Sequence, residues 1–200
     1  MTSFTLPGQG QSEEPEWVVW LTLIICLLIG WVVMTTVTGR TETVSDVAGG
    51  SIRIPDRWIK TKEDGAVFAA TNLRAGTYGS RISVRQIAKA DLLPERSGDE
   101  LGTAANNWTL LRSPDLEGYR ILNIQTMKLQ GRDAVAIEYA YITDPPEGAG
   151  SGVMPALMHA VDTVIASGDG YAILTVAVDQ NNDAMLNDLV ASTQAGWQIP

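Results

Sequence analysis

One cysteine in 200 residues, Cys26, excludes an intramolecular disulfide framework and any Cys-rich metal cage. Basic residues are few as well: 14 lysines and arginines stand against 23 acids, for a formal net charge of −9. They are scattered without a single basic run, so the clustered cations needed to displace counterions from a phosphate backbone are missing. A nucleic-acid partner is therefore not expected. Recognisable catalytic spacings are missing too. There is no G-x-S-x-G elbow for a serine nucleophile and no Asp-x-Asp-x-Asp-Gly loop for calcium. The glycines of Gly148-Ala149-Gly150-Ser151-Gly152 lack the Lys-Ser/Thr pair of a phosphate loop and read as a flexible connector.

What is present begins with an uncharged stretch from Trp17 to Gly39, almost wholly apolar as far as Met34. A helix needs about 20 residues to cross a hydrocarbon core of about 30 Å. Residues 17–38 meet that length and predict a single transmembrane helix, with Trp17, Trp20 and Trp31 towards its two ends, where indoles favour the headgroup region. The run is longer than a signal-peptide core, and neither a basic leader nor an A-x-A site flanks it. Counting Lys and Arg, with Arg40, Arg53 and Arg57 following the span and none preceding it, places the larger domain on the cytoplasmic side.

Residues 1–16, rich in Gly, Pro, Gln and Glu, read as a flexible tail, and residues 39–49 as a linker. From residue 50 to residue 200 the chain has the length of one ordinary domain. Period-two alternation predicts strands over Ser80–Ala88, Arg132–Ile142 and Tyr171–Asp179, the last apolar on both parities and so central. Shorter candidates are Ser51–Ile54, Val67–Thr71, Tyr119–Lys128 and Ala156–Ala166. Two amphipathic helices interrupt them. One is capped by Ser97 and Glu100 and carries Leu101, Ala104, Ala105, Trp108 and Leu111; the other starts near Asn182 and carries Met185, Leu186, Leu189 and Val190. The expected fold is α+β: a mostly antiparallel sheet of about six or seven strands packed with two main helices.

Three segments carry a family resemblance. Ile52-Arg53-Ile54-Pro55-Asp56-Arg57-Trp58 pairs a strand with Pro-x-x-Trp, Gly131 opens a long strand, and Gly170-Tyr171-Ala172-Ile173-Leu174-Thr175 leads towards the last helix. In these features residues 50–199 resemble the PsbP-like family, named for an extrinsic subunit of photosystem II. The resemblance implies an α/β sandwich acting as a non-catalytic accessory or assembly module. It also favours the extracytoplasmic side for the domain, against the Lys and Arg count, and the reading leans that way. Photosystem docking and the His-containing metal contacts of photosynthetic members are not carried over to a chain with an anchor and one histidine.

Isolated polar residues receive structural readings. His159 is the one available imidazole base, and it shares strand parity with Leu157, Val161 and Ile165, which predicts a core histidine. Asp162, Asp169, Asp179 and Asp183 read as strand-end and cap acids, and Trp58, Trp108 and Trp197 as core plugs. Asn107-Trp108-Thr109 matches a glycosylation signal but falls inside a helix. No catalytic, cofactor-binding or metal-binding residue is assigned. The expectation is a non-enzymatic, single-pass membrane protein of the cell envelope, docking on a larger membrane protein complex. The alternative is a binder of a lipid or small apolar ligand held between sheet and helix.

Overall fold

The computed structural model describes residues 16–38, 41–47, 49–56, 58–92, 98–146, 148 and 150–199. The expected flexible tail lies outside them except for Glu16. The chain divides into two compact units, Met1–Arg40 and Thr41–Pro200. The first is built on helix α1 (Glu16–Thr38), whose 18 residues from Trp17 to Met34 are apolar and entirely unburied. It is long and apolar enough to cross a membrane. Within it the Thr22 hydroxyl donates to the Val18 carbonyl at 2.8 Å, which satisfies that polar group inside the helix.

The second unit opens with a hairpin, β1 (Thr41–Val47) against β2 (Gly50–Pro55). This corrects the linker expected over residues 39–49. Thr41, Thr43, Val44 and Val47 are β-branched, and Val47 joins the core; the exposed Glu42 and Asp46 among them mask the alternation.

Seven further strands follow: β3 (Ile59–Lys60), β4 (Ala66–Asn72), β5 (Ser80–Ala88), β6 (Glu117–Leu129), β7 (Arg132–Thr143), β8 (Ala156–Ser167) and β9 (Gly170–Asp179). They form one antiparallel sheet in the order β3-β4-β5-β9-β8-β7-β6. Strand β9 is central, and all ten of its residues are buried, as its apolar pattern predicts.

Both faces of the sheet are covered. Helix α2 (Glu100–Arg112) lies over one, packing Ala104, Ala105 and Trp108 on Ile137, Tyr139, Ala160 and Ile173. Helix α3 (Leu186–Gly196) and the β1–β2 hairpin cover the other, where Ile52, Ile54, Leu186 and Trp197 meet Leu174, Val176 and Val178.

Local signals explain the element ends. Asp99, not Ser97, caps α2: its side chain accepts from the Gly102 amide at 2.8 Å, while Ser97 is outside the described residues. A 3₁₀ turn, Gln180–Met185, precedes α3, so the helix starts later than its apolar stripe implies and Met185 is left exposed. Gly170 begins β9 so close to β5 that a Cβ there would collide with the Ile87 carbonyl oxygen. Leu111 departs from the expected helix stripe; it is 52% exposed, and the small side chains of Ala104 and Ala105 make the contact with the sheet instead.

Candidate functional site

The face of the sheet under α2 carries charge in its interior. Alternation on β5 sends Ile82 and Val84 towards α3 and therefore Arg81, Ser83 and Arg85 towards α2. With α2 covering that side, Ser83 and Arg85 are only 2% and 7% exposed, so the polar parity of this strand is not a solvent face. Arg85 is held by Glu63, donates to Ser83 Oγ at 3.3 Å and lies 5.9 Å from the centre of the Trp108 ring. Arg112, in the last turn of α2, stands 5.7 Å from the same ring. A cation over indole gains about 0.5–2 kcal/mol depending on desolvation.

At the centre is Asp162, from β8, with no exposure at all. It accepts hydrogen bonds from Trp108 Nε1 and, at 3.1 Å, from the Tyr139 hydroxyl. Burial raises the pKa of its carboxyl; Thr175, Trp108, Arg112 and Tyr139 oppose that rise without cancelling it. Burial and the Asp162 charge push Tyr139 well above the ordinary phenol range and Tyr119 up to about 12. Burial works against the charge on Arg112, but Tyr139, Asp162 and Glu63 outweigh it and its pKa is raised. Both tyrosines thus stay protonated at neutral pH, and Tyr139 donates to Asp162. Three buried atoms here, Arg112 Nε, the Tyr119 hydroxyl and Thr175 Oγ1, have no hydrogen-bond partner within bonding distance among the described residues.

Beside this cluster, and sharing Glu63, Ser83, Arg112 and Thr175 with it, is a cleft of about 420 Å³ lined by residues of β5, β7, β9 and the turn after α2, with Arg81 and Tyr141 among them. A second hollow of about 610 Å³ shares Glu63, Arg112 and Asp115 with it and extends towards Trp108 and Leu111.

The residues singled out by sequence are dispersed. Trp58 and Trp197 fill the α3-side core, whereas Trp108 belongs to the α2 side. Asp179 caps the turn before α3, accepting from the Asn182 amide at 3.1 Å, and Asp169 sits in the exposed turn between β8 and β9. Asn107 is buried. His159 departs from its expected apolar setting: Nε2 meets Glu138 Oε1 at 2.8 Å and Nδ1 meets Asp183. Its parity is right, but that face ends at its margin in carboxylates instead of core. In the loop after β7, Gly148, Gly150, Ser151 and Gly152 are exposed, and Tyr78 ties the loop's far side by donating to the Met154 carbonyl.

Sequence reasoning does not reach the Arg85–Trp108–Asp162 cluster. Its one visible trace is Asp162 itself, an acid in the middle of a strand of small and apolar residues.

No family model and no curated protein matches the sequence. Solved structures do. The solution structure of cyanobacterial PsbP (CyanoP) from Synechocystis sp. PCC 6803 superposes with a TM-score of 0.57 at 13% identity, covering 82% of this chain and 94% of that one. The protein Mog1 superposes with a TM-score of 0.51 at 10% identity, covering 80% and 96%. The α+β domain therefore has the PsbP-like fold expected from Pro55, Trp58, Gly131 and Gly170. At these identities the likeness is one of fold.

Proposed function

We propose that the chain is a membrane-anchored, non-enzymatic accessory or assembly module that docks on a larger membrane protein complex from the extracytoplasmic side. The observation that carries this reading is the free edge of the sheet. Strand β6 is 13 residues long, terminates the sheet, and leaves Ile121, Leu122 and Ile124 about half exposed. Soluble proteins blunt such edges with charge, proline or short length, because unpaired backbone and apolar side chains recruit another chain. Here the occupant is an apolar segment of the membrane partner, presented to a domain tethered beside it by α1. Two groups with acid–base chemistry are already engaged in structure: His159 between two carboxylates and Asp162 between two donors. Binding of an apolar ligand between sheet and helix has less support, since the hollow there is lined by Glu63, Arg112 and Asp115.

Co-purification of the full chain from mild detergent tests the proposal. Wild type should carry stoichiometric membrane protein, and Leu122→Glu with Ile124→Glu should shed it while remaining folded. An anchor recovered alone, or partners retained by the double variant, would overturn it.

A further inference from the structure

Independently of docking, we propose that the cleft beneath the C-terminal end of α2 binds a small zwitterion carrying a carboxylate and an ammonium group, of the size of a di- or tripeptide. Its floor is made of donors. Arg81 enters it without an ion-pair partner among the described residues, and Arg112 brings a buried Nε that makes no hydrogen bond to any of them. Ser83, Tyr141 and Thr175, all buried, add hydroxyl groups to the same lining. A guanidinium pair backed by hydroxyls matches the two oxygens of a carboxylate, for which planar forked donors are suited.

The rim decides what kind of anion this is. Asp115, Glu117 and Asp144 line the mouth and are exposed. The remaining acid of the lining, Glu63, is taken up by Arg85. Arg81 is therefore the uncommitted cation of the lining, beside an Arg112 whose charge already faces Asp162, and three uncommitted anions stand opposite. A doubly charged phosphate would enter a cleft that already leans negative, whereas a zwitterion places its carboxylate on the arginines and its ammonium among the rim acids with no net charge to accommodate. The volume of about 420 Å³ falls within the range of small-molecule pockets, roughly 300–1,000 Å³, and admits more than a single amino acid.

Isothermal titration of the full chain in detergent with tri-alanine tests this, alongside the N-acetylated peptide, which lacks the ammonium, and the C-amidated peptide, which lacks the carboxylate. Tri-alanine should bind saturably, and each capped form should bind about tenfold more weakly or worse. Arg81→Gln, at a half-buried site, should weaken tri-alanine by about as much while its thermal melt stays that of wild type. Arg74→Gln, in an exposed turn away from the cleft, should leave binding unchanged. The proposal is overturned by any of four results: no saturation below about 10 mM, a capped peptide binding as well as the free one, full affinity in Arg81→Gln, or inorganic phosphate binding more tightly than tri-alanine.

Discussion

A carboxyl with no exposure, set between an indole N–H and a phenol, makes Asp162 the residue on which most of the α2-side polar interior depends. Because its pKa is raised in the folded protein from an ordinary 3.8, the folded state holds that proton more tightly than the unfolded chain. The resulting stability is fully present below the unfolded value and is lost as the pH rises through the folded one. Asp162→Asn keeps an acceptor and cannot ionise, so its stability relative to wild type should improve from about pH 4 upward. Denaturant unfolding at several pH values checks this; a constant difference between the two proteins would mean that Asp162 does not titrate across that range. Trp108→Ala removes both a core indole and a donor to Asp162, and should cost about 3–5 kcal/mol by the same measurement. Trp58→Ala should fall in the same range for the loss of packing. His159→Gln should cost less, under about 1 kcal/mol, because the ring and its two carboxylate partners are partly exposed and screened. If His159→Gln unfolds the domain as readily as Trp108→Ala does, the marginal position assigned to His159 is wrong.

Among the elements, β9 is the one whose placement is least tolerant. It lies between β5 and β8 with both faces covered, and its first residue meets the β5 backbone. Gly170→Ala forces those two strands apart and should destabilise by about 1–3 kcal/mol, the range for overpacking. A thermal melt indistinguishable from wild type would show that β5 can yield there at no cost. At the other extreme, β6 has a neighbour on one side only, and a bulge near Leu122 disturbs its register with β7. Strand β5 shows how an element can be legible in extent and misread in environment. Its span and alternation match the sequence reading residue for residue, yet Arg85 turns out to be interior, because α2 closes over a face that period-two alternation assigns to water.

For the whole chain, the division between α1 and the domain carries its own consequence. The unit Thr41–Pro200 has a core on each face of its sheet, built from its own residues. Residues 41–200 should therefore be soluble and unfold in one cooperative transition, measured by circular dichroism; aggregation or a graded melt would show that the fold draws on α1. The sequence by itself determined the apolar helix, the order of strands and helices, the central place of β9 and the PsbP-like sandwich. Each of these rests on local periodicity or on a residue such as Pro55 or Gly131 whose backbone limits are intrinsic. Only the tertiary structure decided that the hairpin strand β1 replaces a linker, that His159 bridges Glu138 and Asp183, and that Arg81, Arg112 and Asp162 converge beneath α2. Those residues lie far apart in the chain, and what a charged side chain does depends on which element covers it. Periodicity reports the direction in which a side chain points, but desolvation and pairing are set by what the rest of the chain brings to meet it.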